Sequence, residues 1–420
     1  MRVGGIISPL QAMLSVAEAR ERILSHFQPV ATESLPLVAC SNRVLAADIT
    51  AATDLPLFDN SSMDGFAILS ADTKPAAADS RVTLRVVADV PAGSYPKLTL
   101  KKGEAARITT GAQIPAGADA VIPVEDTDFN YHQAGTPIPE TISFSRQVKV
   151  GENIRPHGTD IHAGDVVLLK GHVLRPQDLG LLAMLGVANV EVYKKPRVAL
   201  FSSGDELLEV DASLEPGKIR DSNSYTLAAL IESTGAELVR LGVAKDTRKD
   251  VEALLEKAVT ENADLILSSA GVSVGAFDFV KEVIESNGKL DFWRVNMRPG
   301  KPLAFGEYRG INFIGLPGNP VSAFVGFEVF VRSAIGKLNG KFNESRVKVR
   351  VRCEEQIESD GRESYLRAQV REAEGVLYAK LTGHQGSGNL LSLVQANALL
   401  IIPAGVKCVP AAQEVEAWIL

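Results

Sequence analysis

The sequence predicts a multidomain α/β plus β protein built around a doubly wound, mainly parallel sheet. From Pro196 to Leu338, short apolar strands alternate with helices, a pattern typical of a parallel sheet covered by helices on both faces. From Asp54 to Val150, short apolar runs are separated by Pro and Gly residues, which indicates a small β domain. From Arg346 to Leu420 the pattern returns to strands and predicts a further β domain.

Individual elements are predicted from hydrophobic spacing and from the residues that interrupt it. The first is an amphipathic helix over Pro9 to Phe27. Predicted strands up to residue 169 are Val82–Val90, Glu104–Thr109, Ala120–Val124 and Asp165–Leu169, and a helix follows at Gln177–Leu185. In the α/β region the strands are Arg197–Ser202, Glu237–Val243, Asp264–Ser268, Phe292–Met297 and Ile311–Leu316. The helices there are Asn223–Thr234, Thr247–Asn262, Phe279–Asn287 and Val321–Leu338. The last region predicts strands at Val347–Arg352, Tyr365–Arg371, Val376–Lys380, Ala398–Ile402 and Val415–Ile419.

Length and charge exclude several classes of protein. The chain has 420 residues, enough for two to four domains, and its 45% hydrophobic content excludes disorder as the main state. Its 44 basic and 51 acidic residues give a net charge of −7. Binding to nucleic acid depends on neutralising phosphates, so no nucleic-acid partner is expected. A local basic pocket could still hold a small anion.

The cysteine and histidine residues predict neither disulfides nor a metal site. Cys40, Cys353 and Cys408 are far apart, which favours a reducing compartment. The six histidines show no ligand spacing. The chain has no apolar run long enough for a membrane span and no full signal peptide at its start, so a cytoplasmic protein without membrane association is expected.

Polar, glycine-containing turns follow three strands of the predicted sheet, over residues 201–207, 268–278 and 315–322. Carboxyl ends of parallel strands meet at one edge of a sheet, where ligands bind. Gly271 would let backbone N–H groups approach an anion, and Ser269, Ser273 and Ser322 could donate hydroxyl hydrogen bonds. Each turn alone is better explained as a tight strand-to-helix turn with capping serines. Three in one sheet favour a ligand site.

A basic loop lies in the same region. Arg294, Arg298 and Lys301 occur within eight residues that contain no acid. Arginine offers a planar donor fork for an oxyanion and lysine a point charge. Prolines and a glycine between them favour a fixed loop over ordinary surface cations. The loop therefore predicts an oxyanion site.

Four acids also follow predicted strands. Asp205, Glu206, Asp246 and Asp278 should lie at the same edge of the sheet, and convergent carboxylates beside a phosphate site are the ligands that Mg²⁺ needs. The alternative for each is a helix cap or an acid of a first helical turn, which explains Asp278 and Asp246 most easily.

Several other polar stretches read as turns. They lie at 58–66, 109–115 and 153–160, and at 383–388, which could reach a ligand or form a hairpin. The chain shows no nucleophile elbow and no convincing Cys/His pair, so nucleophilic catalysis has no support in the sequence.

Taken together, these motifs resemble the molybdopterin molybdenumtransferase family, the molybdenum insertases that include the C-terminal domain of gephyrin. The matching stretches run in family order over nearly the whole chain: FDNSSMDGFA, RITTGAQIPAGADAVIPVED, GENIRPHGTDIHAGD, RVALFSSGDEL, IRDSNSY, SSAGVSVGAFDFVK, MRPGKPLAFG, GLPGNPVSAF and TGHQGSG. The chain departs from the family pattern at Thr159, Ala270 and the pair Ala276–Phe277.

The resemblance implies four domains and a homodimer. The domains are an elongated one built from residues 1–47 and 152–190, an inserted β domain at 48–151, an α/β domain at 191–338 and a C-terminal β-barrel-like domain at 339–420. The active cleft would lie between the α/β domain of one subunit and the inserted domain of the other. The substrates would be molybdate and adenylylated molybdopterin, with Mg²⁺ as cofactor and AMP as product. Molybdopterin adenylyltransferase and other proteins of the pathway would be candidate partners.

The resemblance also implies roles for single residues. Asp64 and Thr110 would reach the cleft from the partner subunit, and Arg155 and Asp160 would lie in the loop between the two segments of the elongated domain. The metal ion and the hydrolytic step would be served by Asp205, Glu206, Asp246 and Asp278. Molybdate or phosphate oxygens would be held by Ser273, Arg294, Arg298, Lys301 and Ser322, in a pocket shaped by Pro317 and Pro320.

The sequence leaves three rival functions open. The first is molybdopterin adenylyltransferase, because related α/β domains adenylylate molybdopterin with ATP. The architecture can serve as a binding scaffold, as in gephyrin. A tungsten insertase would use the same residues, since tungstate and molybdate are nearly alike in size and charge.

Overall fold

The computed structural model describes residues 13–129, 136–269, 276–341 and 346–420, without the side chains of 276–278 and 293. The chain forms two compact units. The larger unit comprises the residues up to Ala47, Lys170–Ala183 and Val187–Leu420, and the smaller unit comprises Asp48–Leu169 with Met184–Gly186. Among the described residues, no helix has the length and apolar character needed to cross a membrane.

The N-terminal half of the chain contains two helices and many short strands. The helices are α1 (Val16–Ser25) and α2 (Pro176–Met184). The strands are β1 (Thr32–Pro36), β2 (Ile49–Thr50), β3 (Asn60–Ser61), β4 (Gly65–Ile68), β5 (Val82–Val90), β6 (Glu104–Ile108), β7 (Ala120–Pro123), β8 (Thr141–Phe144), β9 (Ile154–Arg155), β10 (Val166–Leu168) and β11 (Asn189–Tyr193).

Helix α1 begins later than its hydrophobic pattern predicted. Ser15 caps it: its hydroxyl accepts from the Glu18 N–H at 3.2 Å, and the Glu18 carboxylate accepts from the Ser15 N–H at 2.8 Å. This reciprocal pair satisfies two N–H groups that the first turn leaves without partners. Residues 9–12 of the predicted helix lie outside the described part of the chain.

In the smaller unit, the prediction of a β domain is confirmed. Five strands form one sheet in the order β7-β4-β6-β5-β8, antiparallel except for β5 and β6. Apolar residues cover both faces, with Phe66 and Ile122 on one side and Ala67 and Val121 on the other. This alternation is that of strands buried on both faces.

The α/β region of the larger unit supplies the next elements. Its strands are β12 (Arg197–Ser203), β13 (Leu207–Leu208), β14 (Ile219–Arg220), β15 (Glu237–Ala244), β16 (Leu265–Ser269), β17 (Gly288–Arg294), β18 (Met297–Arg298), β19 (Pro302–Tyr308) and β20 (Ile311–Leu316). Its helices are α3 (Asn223–Ser233), α4 (Arg248–Thr260), α5 (Ala276–Asn287), α6 (Pro320–Gly326) and α7 (Arg332–Leu338), with a π-helical turn at Phe327–Val331 between the last two.

The predicted doubly wound, mainly parallel sheet is confirmed. Its strand order is β15-β12-β16-β20-β19-β17. The first four strands are parallel, and the last two pair antiparallel. Strand β19 escaped the sequence analysis. It joins β20 through a two-residue turn of Arg309 and Gly310, both with positive φ, which is the common geometry of a tight hairpin.

The predicted strand Phe292–Met297 is divided between two sheets. Strand β17 ends at Arg294 in the central sheet, whereas β18 pairs in parallel with a strand of the C-terminal region. The chain therefore crosses from one sheet to the other just before Arg298. An apolar run alone does not show where a strand changes partners.

The C-terminal strands close into a barrel. They are β21 (Lys348–Cys353), β22 (Ile357–Glu358), β23 (Glu363–Ala373), β24 (Val376–Leu381), β25 (Ala398–Ile402), β26 (Cys408–Val409) and β27 (Glu414–Ile419), with helix α8 (Leu390–Val394) between them. Strands β23, β24, β21, β27 and β25 pair in that order, and β25 pairs back with β23. Closure leaves no free edge among these five strands. The expected β-barrel-like C-terminal domain is confirmed.

Candidate active site

A cavity of about 630 Å³ lies at the carboxyl ends of the parallel strands in the larger unit. Its walls come from distant parts of the sequence: Glu206, Leu207, Ile219, Asp221, Asn223, Ser269, Arg298, Pro299, Gly300, Lys301, Pro302, Pro317, Gly318, Asn319, Ser322, Arg362, Gln385, Gly386 and Ser387. This is the edge where open α/β sheets bind ligands. Volumes of this size are usual for small-molecule sites.

Six of the residues predicted from the sequence meet in this cavity. They are Glu206, Ser269, Arg298, Lys301, Pro317 and Ser322. Ser269 is the last residue of β16, Pro317 follows β20, and Ser322 lies in the first turn of α6. The predicted meeting of the 294–301 and 315–322 segments is thus present in the structure.

Other predicted residues lie elsewhere. Arg294 ends β17 with an exposed side chain, and neither it nor Pro320, the first residue of α6, lines the cavity. Gly271 and Ser273 lie outside the described residues. Asp278 belongs to α5, but its side chain is among those not described.

The basic wall of the cavity consists of Arg298, Lys301 and Arg362. Arg362 comes from the barrel and escaped the sequence analysis. Its guanidinium donates to the Met297 carbonyl at 3.1 Å and to the Asp360 carboxylate at 3.0 Å. The hydrogen bond from Arg362 lowers the pKa of Asp360, and the charge of Arg298 acts in the same direction. Nothing in the local sequence indicated that the barrel would supply this cation.

Asn223 ties two walls of the cavity together. Its amide nitrogen donates to the Ser269 hydroxyl at 2.8 Å and to the Gly318 carbonyl at 2.7 Å. The side chain is buried at the start of α3. Its neighbour Asp221 is also buried, and one of its carboxylate oxygens has no hydrogen-bond partner among the described residues. Both belong to the IRDSNSY stretch, whose residues were assigned no role from the sequence.

A buried arginine supports the 383–388 loop. Arg367 is fully buried and donates to the Gly386 carbonyl and to the Ser392 hydroxyl, each at 3.0 Å. The Ser387 carbonyl accepts from the Val321 N–H at 3.1 Å, so the loop is also fastened to α6. Of the two interpretations of this loop, the structure favours a wall of the cavity.

The electrostatics of Arg367 matter for the cavity. Burial, followed by the charge of Arg298, lowers the pKa of Arg367 to about 10. The guanidinium therefore remains protonated at neutral pH. No carboxylate among the described residues forms an ion pair with it. Its positive charge adds to the field of the basic wall.

Three acids form an acidic corner at the same sheet edge: Asp205, Glu206 and Asp246. The Asp246 N–H donates to an Asp205 carboxylate oxygen at 3.2 Å, and the Asp205 N–H faces an Asp246 oxygen at 3.5 Å. A Cβ on Gly204 would lie 2.6 Å from a Glu206 carboxylate oxygen, so glycine lets that side chain fold back over the turn. These contacts between Asp205 and Asp246 thus connect the turn after β12 to the turn after β15.

The surroundings of Asp246 in the acidic corner disfavour its charged form. Burial raises the pKa of Asp246, and the charges of Asp205 and Glu206 raise it further. One carboxylate oxygen of Asp246 is buried without a hydrogen-bond partner among the described residues. Such a set of oxygens suits a hard divalent cation. No complete group of three metal-ligating side chains is present among the described residues, and the fourth predicted ligand, Asp278, is outside the described side chains.

The smaller unit brings Asp64 and Thr110 together. The Asp64 carboxylate accepts from the Thr110 N–H at 2.6 Å and from the Thr110 hydroxyl at 2.8 Å. Arg155 lies in β9, opposite Asn60, and the Asp160 N–H donates to the Leu55 carbonyl at 2.9 Å. The polar stretches at 58–66 and 109–115 are therefore parts of one bonded loop cluster.

Comparison with known families matches three consecutive regions of the chain. Residues 14–186 match the MoeA N-terminal region (domain I and II), 199–337 match the probable molybdopterin binding domain, and 350–420 match the MoeA C-terminal region (domain IV). Together they include the strands and loops that form both the cavity and the acidic corner.

Curated relatives and solved structures agree with these matches. A molybdopterin molybdenumtransferase of a Nostoc species is 38% identical over 391 residues, 91% of this chain and 88% of the relative. Molybdopterin molybdenumtransferase 2 of Mycobacterium tuberculosis is 36% identical over 97% of this chain and 99% of its own. The crystal structure of a molybdopterin biosynthesis protein from Pyrococcus horikoshii superposes with a TM-score of 0.82 at 32% identity, covering 97% of this chain and all of that one. This chain belongs to the molybdopterin molybdenumtransferase family.

Proposed function

We propose that this chain is a transferase of molybdenum cofactor biosynthesis that moves molybdenum from molybdate into adenylylated molybdopterin and releases AMP. One observation carries the proposal. In a chain of net charge −7, the basic wall of Arg298, Lys301 and Arg362 converges on one cavity beside hydroxyl and amide groups. A cavity with this charge suits an oxyanion, and its acidic corner suits the cation that accompanies a phosphate ester.

The basic wall would bind molybdate, a tetrahedral dianion. The arginines offer planar donor forks, and Lys301 supplies a compact point charge. Buried Arg367 adds charge that solvent screens little, because it is fully enclosed. The Ser269 and Ser322 hydroxyls line the same space and can complete the hydrogen bonds of the oxyanion.

The acidic corner would hold Mg²⁺ through Asp205, Glu206 and Asp246, with Asp278 added on the strength of the family resemblance. When bound, the ion would neutralise phosphate charge and act as a Lewis acid at the phosphoanhydride. Glu206 belongs to both regions, since it lines the cavity and its charge raises the pKa of Asp246. A cation held partly by Glu206 would therefore keep the phosphate end of the adenylate near the basic wall.

We further propose a homodimer in which Asp64 and Thr110 of the partner subunit serve the cleft. The two hydrogen bonds that Thr110 donates hold the Asp64 carboxylate in one orientation. Mixing Asp64→Asn with Lys301→Ala, each strongly impaired alone in metal insertion at low molybdate, tests this arrangement. Random subunit exchange should restore about a quarter of wild-type activity, because half of the dimers are mixed and each has one intact site. An unrestored mixture of dimers that have exchanged subunits contradicts a shared cleft.

Reconstitution tests the activity itself. Purified protein, adenylylated molybdopterin, Mg²⁺ and molybdate should yield AMP and metal-loaded cofactor in equal amounts. Consumption of ATP with unmodified molybdopterin would instead favour an adenylyltransferase. The absence of turnover in the complete mixture would favour a binding scaffold.

The choice of metal needs its own measurement. Tungstate in place of molybdate shows whether the site separates the two oxyanions. We expect both to be accepted, because the basic wall recognises charge and shape that they share.

A further inference from the structure

The arginine that the barrel adds to the basic wall is bound to a carboxylate of its own turn. The Asp360 carboxylate accepts from Nε of Arg362 at 3.0 Å and also from one terminal nitrogen of that guanidinium. The other terminal nitrogen donates to the Met297 carbonyl at 3.1 Å. Every nitrogen of the guanidinium therefore has a partner, and two of its five N–H groups have none among the described residues.

The turn that carries this carboxylate is fixed in place. The second Asp360 oxygen accepts from the Arg362 N–H at 3.1 Å, which is the hydrogen bond of an Asx turn. Gly361 lies between them with a φ of 84°, and its carbonyl accepts from the Gly405 N–H at 2.8 Å. Strand β23 begins directly after the turn and pairs there with β18. Both oxygens of the carboxylate are thus held beside the basic wall.

The charge of Asp360 also acts on the other arginine of the basic wall. The hydrogen bond from Arg362 lowers the pKa of Asp360, and the charge of Arg298 lowers it further. The carboxylate is therefore ionised at neutral pH, and its negative charge offsets part of the positive field of the two arginines. Asp360 does not line the cavity itself. A ligand in the cavity would meet its charge without touching its atoms.

The ion pair of Asp360 and Arg362 is partly open to solvent. Side-chain exposure is 38% for Asp360 and 32% for Arg362, and ion pairs in such settings contribute little to stability. An anion that binds to Arg362, by contrast, lies close to the carboxylate, and like charges at close range repel. The carboxylate therefore has more influence on anion binding than on the fold.

We propose that Asp360 is a positioning residue that acts through Arg362 and keeps the affinity of the basic wall for oxyanions low. This inference rests on the proposed oxyanion site. Asp360 aligns the guanidinium and at the same time opposes each anion that binds to it. A molybdate that gives up its metal has to leave the wall during turnover, so weak retention suits a transferase, which gains no rate from tight substrate binding.

Titration calorimetry with molybdate tests the proposal on the full chain. At pH 7.5 and about 20 mM salt, where charges are screened little, Asp360→Asn should bind molybdate about fivefold more tightly than wild type. Asparagine removes the charge but keeps an oxygen for the Arg362 N–H. The gain should shrink to less than about twofold at about 300 mM salt, because the Debye length falls. Asp360→Glu keeps the charge and should bind no more tightly than wild type.

Two further variants serve as controls. Glu372→Gln removes an exposed negative charge near the other end of β23, roughly 30 Å along the strand, and should leave affinity unchanged. Lys301→Ala should weaken binding and so verify that molybdate binds at the basic wall. Circular dichroism verifies that every variant is folded.

The outcomes separate this inference from the proposed oxyanion site. A wild-type protein that binds no molybdate, or that binds it equally well with Lys301→Ala, would contradict the oxyanion site and this inference with it. If Lys301→Ala weakens binding while Asp360→Asn leaves it unchanged or weakens it, only the role of Asp360 is overturned. Weaker binding by Asp360→Asn would mean that the carboxylate does no more than orient Arg362.

Discussion

The acidic corner and the basic wall lie at one edge of the same sheet but are built in different ways. The acidic corner comes from two turns after adjacent strands, and backbone N–H groups of Asp205 and Asp246 fasten it. The basic wall combines Arg298 of β18 and Lys301 of the following loop with Arg362 of the barrel, and buried Arg367 supports the neighbouring 383–388 loop. The first region thus forms with the pairing of β12 and β15 inside the central sheet, whereas the second also needs residues of the barrel.

The largest effect is expected at the acidic corner. Asp246→Ala removes the most buried of its carboxylates and should reduce AMP release about a thousandfold if, as proposed, these carboxylates hold the cation at the phosphoanhydride. AMP is measured by chromatography, with circular dichroism as the folding control. AMP release at the wild-type rate would show that Asp246 takes no part in the mechanism. The proposed division of function between the acidic corner and the basic wall would then be wrong.

Changes in the basic wall should act on the other substrate. Lys301→Ala should lower metal insertion about a hundredfold, mainly through a higher KM for molybdate, because one of the charges facing the oxyanion is lost. Release of AMP at saturating molybdate should fall less. If both steps fell equally, the two regions would not be functionally separate.

Asn223 connects the walls, and its loss should have an intermediate effect. Asn223→Ala removes two buried hydrogen bonds and leaves the Gly318 carbonyl without its partner. A loss of about tenfold in insertion and about 2 kcal/mol in stability is expected. Urea unfolding and the insertion assay measure these quantities. Asn223→Asp, which cannot donate to either acceptor, should be no better than alanine.

The ionised carboxylates of the acidic corner should also lower the stability of the folded protein at high pH. The folded protein raises the pKa of Asp246 above its ordinary value of 3.8, so the protonated form is favoured by folding. That contribution is complete below about pH 4 and is lost as the pH rises through the pKa of the folded state. Asp246→Asn should therefore melt about 2 °C higher than wild type at pH 8 in EDTA, and the difference should vanish below pH 4. A lower melting temperature at pH 8 would contradict this.

The smallest effect is expected at Arg294. It belongs to the same basic stretch as Arg298, but it is exposed and does not line the cavity. Arg294→Ala should change molybdate KM by less than about twofold. Arg294→Ala is a matched control for Arg298→Ala. If both variants raised the KM for molybdate to a similar extent, the oxyanion site would include residues outside the cavity.

Sequence reasoning found the parts of the site that depend on local pattern. Ser269, Pro317 and Ser322 and the acids Asp205, Glu206 and Asp246 lie at or just after strand ends, whereas residues 270–275 and the Asp278 side chain lie outside the described part of the chain. Arg362 and Arg367 were not predicted, because their roles depend on how the barrel packs against the sheet. Strand β19 (Pro302–Tyr308) lies between two predicted strands, and no element was predicted there. The exposed position of Arg294 could not be predicted, since the chain leaves the central sheet immediately after it.

The two-residue strand β18 has a consequence for dividing this chain. Arg298 is hydrogen-bonded into the barrel sheet, although its neighbours before residue 295 belong to the central sheet. A fragment ending near residue 341 would keep all the carboxylates of the corner but lose the strand that aligns Arg298, together with Arg362 and the Gln385–Ser387 wall. Such a truncated protein would keep the carboxylates proposed to bind the cation but would lack much of the wall proposed to bind the oxyanion.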